Sequence, residues 1–461
     1  MINPGLTWKL IKRIVSMASA VTLRPAAYVT LKLLSKLIDG RSQLPILQFL
    51  LMDPLNTTAI EMLHNLQKTQ VATDRRVIVV TRWPFWPVAT AKDESFVSFI
   101  RGLFPGLNIV WIPAWLQLVI IRCVYLVCRL LLKTEAINRP AGLNSTIRYR
   151  PGSIWENVDI LNHGERVALQ IPKSHELELE SRLRSLGVPP GAWFVCVHAR
   201  EHGYAKVMKP YSHNIPASYR HEQEDHRNVD IRDFFPTIDY IKSMGGMVVR
   251  MGDPSMTPIG DIDGVIDYPF TEHWSMPMDL YLISRCRFVL GCNSGFSWCF
   301  PHCFNKPVLT TNISCSSNTA CFPYSNNIFL FMHAVEKSSG RFISPKEMCH
   351  PSLAAINPAM DDAVSFDSLG YRWQQNSPDE ILEAVQDMLE LTEANAFDDP
   401  RTAEQELFHQ YRLEILDSLC SNGTVITKYS VIKSSQSRIS APFAARYFGN
   451  VEQQTHVGGL A

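Results

Sequence analysis

The chain has 461 residues, and its 44 Lys and Arg balance its 44 Asp and Glu, so the formal net charge is zero. A neutral chain has no overall field that recruits polyanions, which excludes a general nucleic-acid binder. The length is sufficient for two domains with appendages. The 11 cysteines are scattered through apolar stretches, as is typical of reduced, buried thiols in a cytosolic protein.

The first 52 residues are basic and apolar. Seven Lys and Arg stand against one acid, Asp39. Basic residues interleaved with apolar ones at helical spacing predict amphipathic helices over residues 1–60. Either residues 1–52 lie on an anionic membrane surface, or the helices pack on the body of the protein with a solvated basic face. The first alternative predicts a peripheral position on the cytoplasmic face of the inner membrane, and the second a cytoplasmic protein.

An α/β pattern follows the basic segment. We predict a strand over residues 76–81 (RVIVVT), a helix over 95–104 and a second strand over 108–112. The order β, α, β is typical of a parallel, right-handed unit. We therefore predict an N-terminal Rossmann-like domain over residues 70–175. At the carboxyl end of its first strand, Arg82, Trp83 and Trp86 stand on the rim of a cleft.

Residues 108–132 are apolar enough to resemble a membrane span. Pro113 divides this stretch, however, and Arg122 falls near its middle, where burial in lipid is costly. A strand followed by a buried helix from about Trp115 is the favoured interpretation.

A second α/β pattern occupies residues 190–375. We predict strands over 192–198, 247–251, 265–268, 288–291 and 307–310, and helices over 176–186, 231–244 and 278–286. This pattern predicts a C-terminal Rossmann-like domain, followed by helices over 376–433 and a flexible tail over 434–461. Two doubly wound domains facing a cleft form the α/β architecture known as GT-B, although the periodicity also fits other two-domain α/β enzymes.

The most informative segment is the turn that follows the strand at 288–291. Cys292 is followed by a run of small and polar residues that opens the next helix: Asn293, Ser294, Gly295, Phe296 and Ser297. A strand that leads into such a turn directs backbone N–H groups and hydroxyls at one point. The sequence therefore predicts a phosphate site here.

Charged residues follow two neighbouring strands of the same domain. His198 and Arg200 stand where the first strand ends, and Arg250 stands where a later one ends. Arginine holds a diphosphate bidentately and neutralises a departing leaving group. Two arginines and the turn are sufficient to hold a diphosphate, so we predict that neither a divalent metal nor another cofactor is required.

Two motifs imitate metal sites. Asp261-Ile262-Asp263 resembles a metal-binding DxD, but it lies between two glycines and fits an ordinary Asp-rich turn. The spacings of Cys299 with Cys303 and of Cys315 with Cys321 match no common zinc ligand pair.

Residues 278–300 (MDLYLISRCRFVLGCNSGFSWCF), together with His198-x-Arg200, resemble the donor-binding half of the protein O-fucosyltransferases. The stretch from 193 to 307, with RNVDIRDFFPTIDYI and GGMVVRMGDPS, is similar to a group of bacterial glycosyltransferases that share this half. The resemblance covers roughly residues 190–312.

This resemblance implies a role for each matched residue. Arg200 holds the β-phosphate of the donor and His198 shapes that loop. Asp279 contacts the nucleotide base or its ribose. The phosphates are received by Ser294, Gly295 and Phe296. Gly295 stands where fucosyltransferases often carry a second serine, which leaves the sugar and base of the donor open.

The implied reaction is inverting transfer of a sugar from a nucleotide-sugar donor to an acceptor hydroxyl. Arg200 and Arg250 stabilise the nucleoside diphosphate as it leaves. Three residues stand close enough in sequence to act as general base: Glu201, His202 and Asp253. The resemblance implies an acceptor that binds the N-terminal domain over residues 70–175 and is a glycan, a lipid-linked molecule or a protein. The polar residues 204–226 are interpreted as a loop over the donor.

The alternatives are a protein that binds the nucleotide sugar without turnover and another two-domain enzyme, such as a sugar-phosphate epimerase or phosphotransferase.

Overall fold

A computed structural model describes residues 46–50, 57–73, 77–82, 94–112, 147–148, 168–203, 221–314, 324–343, 345–348, 363–421 and 435–449. The chain divides into two compact units, Met1–Leu169 and Gln170–Ala461. Each unit contains a sheet of parallel strands, which confirms the predicted α/β class. The helix expected from Trp115 and residues 1–45 lie outside the described residues, and the cleft expected between the domains stays a prediction.

The first unit has a four-stranded sheet. Its strands are β1 (Ile46–Leu50), β2 (Val77–Arg82), β3 (Asn108–Ile112) and β4 (Ile147–Arg148), in the order β3-β2-β1-β4, with helices α1 (Thr57–Thr73) and α2 (Glu94–Leu103). All neighbouring strands are parallel. The prediction of helices throughout 1–60 is wrong for β1. Its short apolar run ILQFL pairs along β2 as a strand instead.

The second unit is built on a seven-stranded sheet. Its strands are β5 (Phe194–His198), β6 (Met247–Arg250), β7 (Val265–Asp267), β8 (Val289–Cys292), β9 (Val308–Ile313), β10 (Asn327–Phe331) and β14 (Arg438–Ile439). Their order is β14-β10-β9-β8-β5-β6-β7, and every pair is parallel. The chain moves outward from β5 to β7, then returns to β8 and continues in the opposite direction. This reversal is the doubly wound pattern that the sequence predicts.

The central strands β5, β8, β9 and β10 are buried along their whole length, because parallel sheets are covered on both faces. Val195, Val197, Val289 and Leu290 are fully buried. The covering helices are α3 (Lys173–Ser185), α4 (Phe235–Ser243), α5 (Met276–Arg285), α6 (Gly295–Cys303), α7 (Pro345–Met348), α8 (Ala363–Ser368), α9 (Pro378–Ala394), α10 (Ala403–Ser421) and α11 (Ala441–Phe448). Helix α4 contacts α9, and α5 contacts α6.

Helix boundaries follow local sequence signals. Asp230 caps the 3-10 turn Ile231–Phe234, accepting a hydrogen bond from the Arg232 backbone, as its position predicts. Ser377 and Glu380 form a capping box at the start of α9. Helix α3 belongs to the second unit, and Tyr281 of α5 donates a hydrogen bond to its Glu180.

A small antiparallel sheet and a 3-10 helix complete the second unit. The sheet has the order β12-β11-β13, with β11 (His333–Glu336), β12 (Phe342–Ile343) and β13 (Tyr371–Gln374). The 3-10 helix His221–Arg227, called η1 below, contacts α8. His226 of η1 also stacks on Trp373 of β13.

The segment expected as a flexible tail over 434–461 contains β14 and α11. Strand β14 pairs with β10, and Phe443 and Phe448 of α11 are almost fully buried. The Ser/Gln-rich composition suggested a solvated tail, but the serines of this segment are buried and hydrogen-bonded. The Ser435 and Ser437 hydroxyls lie 2.7 Å apart. The tail prediction is therefore wrong for residues 435–449.

Candidate anion-binding site

The candidate site lies at the carboxyl ends of β5 and β8. These neighbouring strands flank the point where the strand order reverses, and His198 is paired with Gly291 there. Open α/β sheets bind ligands in the crevice outside such a switch point. The residues that the sequence places at both strand ends therefore meet at one edge.

Ser294 links the two strand ends. It caps α6 from an extended conformation, but its side chain makes no capping hydrogen bond. Its hydroxyl lies 3.1 Å from Nδ1 of His198 and 3.1 Å from the Ser297 hydroxyl. The first turn of α6 presents backbone N–H groups at this edge, and the positive end of the helix dipole favours an anion there.

Gly291 allows α6 to approach β8 closely. A Cβ atom at this position would lie 2.1 Å from the Ser297 hydroxyl oxygen and 2.6 Å from its Cβ. Any larger residue would push the helix away from the strand. The glycine therefore fixes the position of the helix N-terminus.

His198 is buried and uncharged. Its ring stacks on Phe296 with a centroid separation of 4.8 Å. Burial lowers the pKa of His198 to about 3, and the charges of Arg200 and Arg250 add to the shift. A neutral imidazole can orient the Ser294 hydroxyl, but it adds no positive charge for an anion.

Arg200 reaches from the end of β5 towards η1. Its guanidinium donates hydrogen bonds to Glu224 at 2.7 Å and to Asn228 at 2.6 Å. Its backbone N–H lies 3.2 Å from Sγ of Cys292 at the end of β8. The side chain remains 17% exposed.

Arg227 is a site residue that sequence reasoning missed. Its Nε donates to the carbonyl oxygen of Asn293 at 2.7 Å, and its Nη1 lies 3.2 Å from Glu224. It stands at the end of η1 and not at the end of a strand, so the strand-end rule did not select it. The only available signal was its position at the start of the motif RNVDIRDFFPTIDYI.

Arg250 is enclosed in an ion-pair cluster beside this site. It is 1% exposed and donates to Glu201 at 2.7 Å and to Asp267 at 2.9 Å. Glu201 also accepts hydrogen bonds from the backbone N–H and the hydroxyl of Thr257, both at 2.9 Å. This geometry favours a structural role, in which the cluster ties together the ends of β5, β6 and β7. The phosphate role of Arg250 and the catalytic role of Glu201 stay predictions.

Asp279 lies in the first turn of α5. This turn stands at the same edge of the sheet, because α5 returns from the carboxyl end of β7. Burial raises the pKa of the Asp279 carboxyl well above its ordinary range, the Tyr268 hydroxyl opposes the rise, and the charge of Asp253 adds to it. Its Oδ1 has no hydrogen-bond partner among the described residues. A protonated carboxyl could donate a hydrogen bond to a polar ligand group.

Asp261-Ile262-Asp263 and the pair Cys299 and Cys303 gain no further metal ligands among the described residues, and Cys315 and Cys321 lie outside those residues. Within the described ranges, no group of three or more His, Cys, Asp or Glu side chains could hold a metal ion. Asp261 and Asp263 lie between Gly260 and Gly264, whose φ angles of 77° and 71° form a turn. Cys299 and Cys303 are buried thiols in α6.

The membrane-like segment 108–132 is described only in part. Residues Asn108–Ile112 form β3, as predicted, and the remainder lies outside the described residues. Among the helices that the structure does describe, none is both long and apolar enough to cross a membrane.

Comparison with known proteins gives matches to solved structures only. No protein-family model and no curated protein matches the chain. A glycosyl transferase of family 9 from Veillonella parvula superposes with a TM-score of 0.34 at 10% identity, covering 58% of this chain and 79% of that one. The ADP-heptose LPS heptosyltransferase II of E. coli gives a TM-score of 0.34 at 13% identity, covering 58% and 84%. The iron-containing dodecameric glycosyltransferase TibC from enterotoxigenic E. coli superposes with a TM-score of 0.28 at 13% identity, covering 58% of this chain and 57% of that one. All three are glycosyltransferases, but superpositions with TM-scores this low establish neither the fold nor the function of this chain.

Proposed function

We propose that this chain is a glycosyltransferase that moves a sugar from a nucleotide-sugar donor to an acceptor hydroxyl. One observation carries the proposal. At the switch point of the seven-stranded sheet, Arg200, Arg227 and the N-terminus of α6 converge on the turn that begins at Asn293. Doubly wound sheets bind nucleotides at this position.

The chemistry of the site favours a diphosphate. Two guanidiniums can each donate two parallel hydrogen bonds to phosphate oxygens. The α6 N-terminus adds backbone donors and a favourable dipole. His198 is neutral, so the positive charge of the site comes from arginine and does not depend on pH in the neutral range.

A bound diphosphate in this setting is suited to be a leaving group. Positive groups held where negative charge develops lower the barrier to its departure. We propose that an acceptor hydroxyl attacks the anomeric carbon while Arg200 and Arg227 stabilise the released nucleoside diphosphate. Inversion at that carbon and independence from divalent metal are parts of this proposal. The resemblance of residues 278–300 to the fucosyltransferase donor half supports it.

The remaining groups at the edge complete the donor site. Ser294, held by His198, contacts a phosphate oxygen, and Asp279 contacts the base or the ribose. The carboxylate of Glu201 is engaged by Arg250 and Thr257. His202, at 48% side-chain exposure, is more accessible as the general base. The acceptor is a glycan, a lipid-linked molecule or a protein, and residues 1–52 are proposed to contact the membrane surface where a lipid-linked acceptor resides.

Turnover of a donor panel tests the proposal. Purified protein is incubated with UDP-, GDP-, ADP- and dTDP-activated sugars, with and without EDTA, and release of nucleoside diphosphate is measured. We expect one donor to be turned over at the same rate with EDTA. Binding of a nucleoside diphosphate without release from any donor, including in the presence of acceptor extracts, would instead identify a non-catalytic nucleotide-sugar binder.

A further inference from the structure

Glu224 lies between the two arginines of the site. One oxygen of its carboxylate, Oε2, is 2.7 Å from Nη2 of Arg200 and 3.2 Å from Nη1 of Arg227. A single anionic oxygen thus forms ion pairs with both guanidiniums. A phosphate oxygen would make the same contacts.

The arginines are held in place by groups other than this carboxylate. Arg200 also donates to the backbone oxygen of Glu224 at 3.1 Å and to Asn228 at 2.6 Å. Arg227 donates to the Asn293 carbonyl at 2.7 Å. These bonds persist when the Glu224 side chain turns away, so the pair of cations remains assembled.

The Glu224 carboxylate can leave its position at low cost. Its side chain is 30% exposed, so the carboxylate can rotate into water and regain hydration. The two cations, by contrast, are only 17% and 21% exposed. An anion of higher charge would compete with the carboxylate for these arginines.

We infer that Glu224 is an internal placeholder for a donor phosphate: its carboxylate pairs with Arg200 and Arg227 in the absence of donor and is displaced when the diphosphate binds. This inference rests on the proposed function. It makes Glu224 a positioning residue that sets the affinity for the donor. A carboxylate retained near the diphosphate also helps to expel the product, because like charges repel.

The test compares binding of nucleoside diphosphates and of inorganic pyrophosphate to wild type and to Glu224→Gln by isothermal titration calorimetry. The amide keeps an oxygen acceptor for one guanidinium but removes the charge. We expect Kd to fall by about tenfold, equivalent to about 1.4 kcal/mol. A purely structural role predicts the opposite, because loss of the ion pair would loosen the arginines and weaken binding. Asp225→Asn is the matched control. This substitution removes the carboxylate of Asp225, which lies on the same 3-10 helix as Glu224 and pairs with His202. We expect it to leave Kd unchanged.

The two probes separate this inference from the proposed function. If pyrophosphate binds and Glu224→Gln tightens it, but no nucleoside diphosphate binds, the glycosyl-transfer proposal fails and the placeholder role stands. If wild type binds a nucleoside diphosphate and Glu224→Gln leaves Kd unchanged or raises it, the placeholder role is overturned and the proposed function stands. Absence of binding by both proteins to both probes overturns both.

Discussion

Gly291 determines how closely the anion-binding turn approaches the strand that precedes it. We expect Gly291→Ala to lower the free energy of unfolding by about 1–3 kcal/mol, because the added methyl would overlap Ser297 of α6. The helix N-terminus would shift, so affinity for a nucleoside diphosphate should fall as well. Chemical denaturation and calorimetry measure the two effects.

A second substitution tests the cause. Ser297→Gly removes both atoms that the new methyl would meet, and the next atom, the Ser297 Cα, lies 3.5 Å away. The double variant Gly291→Ala/Ser297→Gly should therefore be more stable than the sum of the two single effects predicts. Strict additivity would show that the close approach is not what requires glycine.

His198 should remain unprotonated across the physiological range. Its pKa is about 3 in the folded protein, below the ordinary value of 6.5. Below pH 6.5 the His198 imidazole becomes protonated in the unfolded chain but stays neutral in the folded protein. The free energy of unfolding therefore falls with decreasing pH, by at most about 1.4 kcal/mol per pH unit from this residue. We expect the imidazole ¹⁵N signals that disappear in His198→Gln to stay constant from pH 5 to pH 8. Titration within that range would contradict a buried, neutral role.

Sequence reasoning correctly brought the ends of β5 and β8 together, because strand ends in a parallel sheet share one edge. His198 and Ser294 are 96 positions apart and lie in hydrogen-bonding contact. The same rule also selected Arg250, and it could not reveal that two carboxylates enclose that side chain. Arg227 and Glu224 were missed because they lie on a 3-10 helix between strands, where only the three-dimensional path of the chain brings them to the turn.

At the scale of elements, α11 is attached to the body of the second unit through Glu380 at the start of α9. Glu380 lies 2.9 Å from Nε2 of His333 and accepts a hydrogen bond from Tyr447 of α11 at 2.6 Å. Burial raises its pKa, but the bonds from His333, Tyr447 and the Ser377 backbone outweigh it, and the pKa is lowered to about 2. The folded state therefore favours the carboxylate, and this contribution is complete above about pH 4.5 and is lost as the pH falls towards 2.

We expect Glu380→Gln to destabilise the protein by about 2–3 kcal/mol at pH 7, since it replaces a buried carboxylate that accepts hydrogen bonds from His333, Tyr447 and the Ser377 backbone with an amide that cannot satisfy all three donors. Glu383→Gln is the matched control on the same helix. Its pair with Arg446 is 2.6 Å long but about 40% exposed, so its loss should cost less than about 1 kcal/mol. Equal decreases in the free energy of unfolding for the two variants, measured by urea denaturation, would contradict the attachment of α11 through Glu380.

Element type was predictable where periodicity was strong, as in β5, α4 and α5. Strands β10 and β14 were not predicted. The two-residue β14 follows a Ser-rich stretch, and it becomes a strand only because β10 offers an unpaired edge. Local composition cannot reveal that β10 is available to pair with this segment.

At the scale of the whole second unit, one topological feature organises the chemistry. The seven strands are parallel, and their order reverses between β5 and β8, the position at which open α/β sheets bind ligands. Arginines and a helix N-terminus from separated parts of the chain surround it. The sequence predicted this arrangement as a class of fold, whereas the base and the sugar of the donor depend on side-chain positions that periodicity does not encode.

The most direct test is calorimetric titration of nucleoside diphosphates into wild type, Arg200→Ala and Arg232→Ala, with thermal unfolding of each protein. Arg232 has the same charge on the same unit, but its side chain is 77% exposed and pairs only locally with Asp230. We predict that wild type and Arg232→Ala bind one diphosphate with equal Kd. Arg200→Ala should stay folded and bind it about 100-fold more weakly, because two charge-assisted hydrogen bonds are lost. Undiminished binding by folded Arg200→Ala would contradict the diphosphate site.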